Sequence, residues 1–335
     1  MYDLKTSLTE LADGRELIAC GANFAFLATQ ATSDIRFQRL VDDECPIAIG
    51  GHTVEPPDSV TALGPEKAFA VVFGYKPWLL KPWYTLLESA GFVHGKDFVD
   101  CSHLHYQSIS RRLKEQFGIE SSPTLFTASR LAAFSTDLQN LSGFSGSWLF
   151  LELLHSTSSE HGAAIAECGT YKGGNAASSF LLSSDFRTSS VFLLDTFNGF
   201  PAIGEQDPAS RAEDFRDSDE KAVRALFAGA DNMRVCAGNF VDTLPALRDQ
   251  SFRIVYIDCD LAKPAEQCCE FFGPRLQEDG LILVHDYWAP DSPLPPGYKE
   301  PFRGVRPAID DFAKRRGMTV TVFPETSHAV VRLKQ

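Results

Sequence analysis

Residues 163–175 read Ala163-Ala164-Ile165-Ala166-Glu167-Cys168-Gly169-Thr170-Tyr171-Lys172-Gly173-Gly174-Asn175. An apolar run closes on an acid, and glycines follow it. This is the form of a buried strand turning into a helix in a parallel sheet. In open α/β sheets, ligands sit beyond the carboxyl ends of the strands. Residues that follow each apolar run are therefore the ones to read for chemistry. The spacing here is not the Gly-x-Gly-x-x-Gly that holds a pyrophosphate. It suits S-adenosylmethionine, which has no phosphate but carries an ammonium, a carboxylate and a sulfonium. Glu167 suits the ammonium side. Gly169 and Gly173, with Tyr171 and Gly174 beside them, let the backbone approach the rest of the methionine end.

Outward from this stretch the same pattern recurs. The run 191–194 ends at Asp195-Thr196-Phe197, and an acid at that strand end can accept from both ribose hydroxyls. Phe197 is placed to cover the adenine face, or to pack in the core. Thr196 joins the expected cofactor set. The runs 254–257 and 281–284 end in Asp258-Cys259-Asp260 and His285-Asp286-Tyr287. Hard oxygen ligands from neighbouring strand ends suit Mg²⁺ or Mn²⁺, which takes one or two carboxylates plus water and substrate oxygens. Asp258, Asp260 and Asp286 are the expected metal ligands, and Asp258 also lies at the cofactor. Helix capping is the plainer alternative for these acids. His285, Asp286 and Tyr287 are the candidate catalytic residues, with His285, Tyr287 and His328 as possible bases. Further strands are expected at 320–323 and 329–333. The proline-rich piece 290–301 is expected to be a loop.

The ordered set Glu-x-Gly-x-x-x-Gly-Gly at 167–174, Asp-Thr-Phe-Asn-Gly-Phe-Pro at 195–201, Gly238-Asn239-Phe240 with Thr243-Leu244-Pro245, Asp258-Cys259-Asp260, His285-Asp286-Tyr287 and residues 304–312 resembles the macrocin O-methyltransferase family over about residues 121–333. That family belongs to the class I S-adenosylmethionine-dependent methyltransferases. The resemblance implies metal-assisted methylation of a hydroxyl on a sugar, natural-product or polysaccharide acceptor. It carries Glu167, Gly169 and Gly173 over to the methionine end, Asp195 to the ribose, and Asp258 and Asp286 to the metal. This chain departs from the pattern at two places. His285-Asp286 stands where the family often has two acids. Cys259-Asp260-Leu261-Ala262 stands where Gly-Asp-Leu-Tyr is common. Imidazole is a poor match for Mg²⁺.

A first round of strand and helix patterning spans residues 16–101. Strands are expected at 16–20, 37–41, 68–73 and 98–99, and helices at 23–29 and 79–89. Gly21 and Asp42-Asp43 imitate a mononucleotide-binding half, with one glycine only. The expected fold is thus α/β. A small Rossmann-like domain (1–104) and a helical connector (105–145) precede a doubly wound methyltransferase sheet (146–335). Two alternatives are an NAD-dependent sugar-nucleotide enzyme and a non-catalytic scaffold on a methyltransferase fold. The missing glycines weigh against the first, and acids at three strand ends weigh against the second.

Composition sets the outer limits. The 335 residues carry a net charge of -13. That argues against nucleic acid as a partner, which needs clustered Lys and Arg. The longest apolar stretch, near Trp148 to Leu154, is far short of the ~20 residues that span a bilayer. The start of the chain is polar, and the eight cysteines form no Cys-x-x-Cys pair. A cytoplasmic protein with reduced thiols is expected, with a small-molecule or glycan acceptor and no membrane partner. A homo-oligomer is compatible with this composition.

Overall fold

The computed structural model describes residues 6–22, 26, 35–42, 48–49, 52–74, 77–135, 143–157, 162–201, 203–207, 214–287 and 302–334. The expected helix at 23–29 and the expected loop at 290–301 lie largely outside these residues, as does Asp43. The chain divides into two compact units, with the division between Pro123 and Thr124. No helix among the described residues is long and apolar enough to cross a membrane.

The first unit holds α1 (Leu8–Ala12), β1 (Glu16–Cys20), β2 (Arg39–Val41), β3 (Ala48–Ile49), β4 (His52–Glu55), α2 (Asp58–Leu63), β5 (Ala68–Val72), α3 (Pro77–Ser89), β6 (Phe98–Asp100) and α4 (Ser102–Phe117). Its sheet runs β3-β4-β2-β1-β5-β6, and every pairing except β3–β4 is parallel. β5 is buried throughout, which is why it reads as an unbroken apolar run. Gly21 follows β1 with φ +107°. Asp42 follows β2, and its carboxylate accepts the Ala22 N–H at 2.5 Å. The acid that would meet a ribose in a mononucleotide half is thus engaged with its own loop. The short strands β3 and β4 carry no apolar run long enough to announce them.

The second unit holds α5 (Pro123–Ser135), α6 (Gly143–Ser156), β7 (Ala164–Cys168), α7 (Gly174–Leu182), α8 (Ser184–Thr188), β8 (Val191–Asp195), α9 (Glu220–Leu226), β9 (Met233–Ala237), α10 (Phe240–Thr243), β10 (Phe252–Ile257), α11 (Ala262–Phe272), β11 (Leu276–Val284), α12 (Val305–Arg316), β12 (Met318–Phe323) and β13 (His328–Leu333). The stretch expected as a connector is therefore shared: α4 falls in the first unit, and α5 and the start of α6 fall in the second.

The seven-stranded sheet runs β12-β13-β11-β10-β7-β8-β9. β13 is antiparallel to both of its neighbours, and the other pairings are parallel. The order reverses between β7 and β10, so the crevice at their carboxyl ends is the switch point of the sheet. One face carries Ala166, Cys168, Val255, Ile257, Ile282 and Val284, packed with Cys268, Phe272, Ile309 and Phe312 of α11 and α12. The other face is backed by α6, which is buried from Gly143 to Leu154. Phe150 of α6 sits 5.7 Å from the Tyr256 ring. A helix that is apolar almost all round is a core helix, not a surface one.

Candidate active site

Four strands deliver the site, and each leaves its end through a left-handed residue. Tyr171 after β7, Phe197 after β8, Asp260 after β10 and Asp286 after β11 have φ of 52°, 52°, 65° and 55°. Such a conformation costs a side chain of this kind about 1–2 kcal/mol. Four of them at adjacent carboxyl ends mark the edge of the sheet where side chains are turned toward one crevice.

Glu167 is buried at 2% exposure and accepts from the Asn175 Nδ2 amide at 2.8 Å. Asn175 in turn accepts from the Ser147 hydroxyl of α6 at 2.8 Å. Burial pushes the Glu167 carboxyl up to about 8, with Asn175 pulling down and Asp258 and Asp195 pushing further up. This acid lacks a cation. A ligand ammonium would supply one. Gly169, at φ +91°, lies against β10: a Cβ there would sit 1.8 Å from the Asp258 carbonyl oxygen. Gly173 is left-handed at φ +79° and leads into α7, whose first residue, Gly174, is buried.

Asp195 accepts from the Tyr171 N–H at 2.7 Å and from the Phe197 N–H at 2.8 Å, one on each oxygen. Burial raises its carboxyl, and these backbone bonds oppose the rise. The Thr196 N–H adds a further hydrogen bond to the same carboxylate. Thr196 spends its hydroxyl proton on the Gly199 carbonyl at 2.7 Å, so it shapes the turn. The Tyr171 hydroxyl is tied to Asp217. The Phe197 ring is half-buried.

β10 and β11 pair in parallel with Ile257 opposite Val284, which brings Asp258 beside His285 and Asp286. Ligand atoms of these three residues lie within 4.8 Å of one another, the single such group among the described residues. His285 Nδ1 stands 2.7 Å from Asp258 Oδ1 and 3.3 Å from Asp286 Oδ2. Burial opposes a charge on this imidazole, but Asp258 and Asp286 outweigh it and raise its pKa well above the ordinary value. Asp286 is 3% exposed, and its Oδ2 has no hydrogen-bond partner. Its nearest cationic group is the His285 imidazole at 3.3 Å. Asp260 stands outside this group. Burial, then Asp286 and Asp258, hold its carboxyl well above the usual range. The residues brought together are two carboxylates and an imidazole, and Asp260, expected beside Asp258 and Asp286, is not among them.

Two expected bases are engaged elsewhere. Tyr287 is buried in the core under α12, and its hydroxyl donates to Asp310. Burial and Asp310 raise its pKa far beyond the physiological range. It belongs to the packing between β11 and α12. His328 is wholly buried, with its pKa lowered to about 3 by burial and by the charge of His285. It stays neutral. The sequence offered no sign that Ser147, Asn175 and Tyr256 stand behind the acids, because their roles depend on which strands become neighbours.

The second unit is a doubly wound sheet with acids at its switch point. Residues 166–287 match the family model Methyltransf_24, described as a methyltransferase domain. Demethyldecarbamoylnovobiocin O-methyltransferase of Streptomyces niveus is 26% identical over 136 residues, 37% of this chain and 52% of that protein. Mycinamicin III 3''-O-methyltransferase of Micromonospora griseorubida is 24% identical over 170 residues, 46% of this chain and 62% of that protein. The chain thus spans between half and two thirds of the length of these curated relatives. The solved structure of the O-methyltransferase NovP aligns with 70% of this chain and 100% of its own, at 15% identity and a TM-score of 0.48.

Proposed function

We propose that this protein transfers a methyl group from S-adenosylmethionine to a hydroxyl of a sugar, natural-product or glycan acceptor, with a divalent cation at Asp258, His285 and Asp286. The observation that carries this reading is the convergence of Asp258, His285 and the buried Asp286 within 4.8 Å, in the same crevice edge as Glu167 and Asp195. The two curated relatives, both named as O-methyltransferases, support the same class of reaction.

When bound, S-adenosylmethionine supplies an electrophilic methyl group and the cation a positive charge beside the acceptor oxygen. The chain's own residues do the rest by orientation. Glu167 would receive the ammonium, Asp195 the ribose hydroxyls, and the glycines at 169 and 173 would keep side chains out of the cofactor's path, with Tyr171 and Gly174 beside them. Phe197 would offer its ring to the adenine. Asp258 and Asp286 would hold Mg²⁺ or Mn²⁺, and His285 would shift the preference toward Mn²⁺. When the methyl group is transferred the acceptor's hydroxyl proton must leave to a base, and His285, which stands beside Asp258 and Asp286, is the residue we assign to take it. Calorimetry with S-adenosylhomocysteine tests the cofactor, and a mass gain of one methyl group across a panel of glycosides tests the reaction. Binding of NAD in place of S-adenosylhomocysteine would overturn the reading.

A further inference from the structure

The back of the cation cluster is built as deliberately as its front. Tyr256 and Asp258 are two residues apart at the end of β10, on the same face. The Tyr256 hydroxyl lies 3.1 Å from Asp258 Oδ2 and 3.1 Å from His328 Nε2. On the far side, His328 Nδ1 is 2.6 Å from the Thr326 carbonyl oxygen. A carbonyl only accepts, so Nδ1 carries the proton and Nε2 of the neutral ring is left to accept; the Tyr256 hydroxyl has one proton, which goes either to Asp258 Oδ2 or to His328 Nε2 and not to both at once. The His328 ring is stacked on Tyr256 at 5.7 Å and 19°, and meets His285 at 4.6 Å. Asp258 is met at both oxygens, Oδ1 by His285 in front and Oδ2 by the Tyr256 hydroxyl behind, which holds it when its one proton points to the carboxylate; the His328 ring, stacked on Tyr256, fixes where that hydroxyl lies.

Room for this arrangement comes from α6. A Cβ on Gly146 would lie 2.7 Å from His328 Cε1, a distance real Cβ atoms do not show. A glycine inside a helix costs about 1 kcal/mol relative to alanine, so its presence needs a packing reason. The imidazole against it is that reason.

We propose that Tyr256 and His328 are positioning residues that fix the Asp258 carboxylate for a divalent cation, with Gly146 making the space that His328 occupies. The inference rests on the cation reading above. A buried Tyr–His pair could also serve the core alone, and the two roles separate in their effect on cation affinity. Partners that orient a ligand typically change metal affinity about 10–100-fold when removed.

The test is Mn²⁺ titration followed by electron paramagnetic resonance, beside S-adenosylhomocysteine calorimetry on the same full-length proteins. Tyr256→Phe should weaken Mn²⁺ about 10–100-fold and leave S-adenosylhomocysteine affinity within about threefold. His328→Gln, which keeps a polar atom toward Tyr256, should lie nearer wild type than His328→Leu. Gly146→Ala should weaken Mn²⁺ in the same direction as His328→Leu. Wild-type Mn²⁺ affinity in Tyr256→Phe would overturn the proposal, and if that variant does not fold, wild-type affinity in both His328 variants would do so. If the wild type itself takes up no Mn²⁺, the cation reading fails instead. Crystal structures of wild type and Tyr256→Phe then decide the positioning role: a turned Asp258 carboxylate supports it, and an unchanged one overturns it.

Discussion

Gly169 and Asp258 touch so closely that a single added carbon on Gly169 would come within 1.8 Å of the Asp258 carbonyl oxygen. The glycine turn after β7 and the acid end of β10 are one packed unit. Gly169→Ala should therefore destabilise the domain by more than ~3 kcal/mol, from the clash together with a left-handed φ. Gly173→Ala meets Leu226 Cδ2 at 3.2 Å and otherwise makes ordinary contacts with Phe227 and Val223 at 3.6 and 3.7 Å, so its cost should stay near ~1–2 kcal/mol. Thermal unfolding of the two variants checks the ranking, and equal shifts would contradict it.

The acid Glu167 gives a pH dependence with a definite sign. Its carboxyl sits near 8 in the folded chain, above its ordinary 4.5, because it is buried. Between these values the folded state holds a proton that the unfolded chain has lost. Stability from this group is complete below about pH 4.5 and falls as pH rises toward 8, by up to ~1.4 kcal/mol per unit. Glu167→Gln should flatten that slope in urea unfolding at several pH values. If the ionised form receives the cofactor's ammonium, S-adenosylhomocysteine binding at pH 7 should also release a proton. Calorimetry in two buffers of different ionisation enthalpy would show it.

Asp286 separates the two ligands. Its carboxylate lies with Asp258 and His285, in the cluster proposed for the cation, whereas Asp195, the acid proposed for the ribose, stands at the end of another strand. Asp286→Asn should lower Mn²⁺ affinity by on the order of 100-fold or more, above the ~10–100-fold typical of an outer partner, and change S-adenosylhomocysteine affinity little. Asp195→Ala should do the reverse, weakening the nucleoside by about 10–100-fold for the loss of charge-assisted hydrogen bonds. Turnover should vanish in excess chelator and return with Mn²⁺. Full activity in chelator would remove the cation from the reaction.

Tyr287 is predicted to be structural. Tyr287→Phe removes its bond to Asp310 and should cost about 1 kcal/mol of stability. Turnover should remain within about twofold of wild type. A loss of two orders of magnitude without a change in melting temperature would return Tyr287 to the reaction.

The acids of the crevice were legible because each closes an apolar run: Glu167, Asp195, Asp258 and Asp286 are polar residues next to residues buried on both faces of a parallel sheet. β9 was not legible. Met233–Ala237 is an edge strand, half exposed, without a continuous apolar run. The order of the strands was also out of reach, and with it every contact that joins distant residues. His328 reads as one more histidine until β13 is seen beside β11. Gly146 reads as a weak point in a helix until the imidazole beneath it is known. Tyr287 looked chemical because it adjoins His285-Asp286, but along a chain leaving a strand neighbouring side chains point to opposite sides.

β13 carries one more consequence. It follows every other strand of its sheet in chain order, yet it is inserted between β11 and β12. While the chain is being made, the sheet must wait with the edge of β11 uncovered until residues 328–333 have left the ribosome. Over that interval Asp258 lacks the support that begins at His328, and an open strand edge is a template for pairing with other chains. The support behind Asp258 is thus the last part of this sheet to mature. Any nascent chain released before β13 would hold most of the nucleoside crevice and none of the finished cation support.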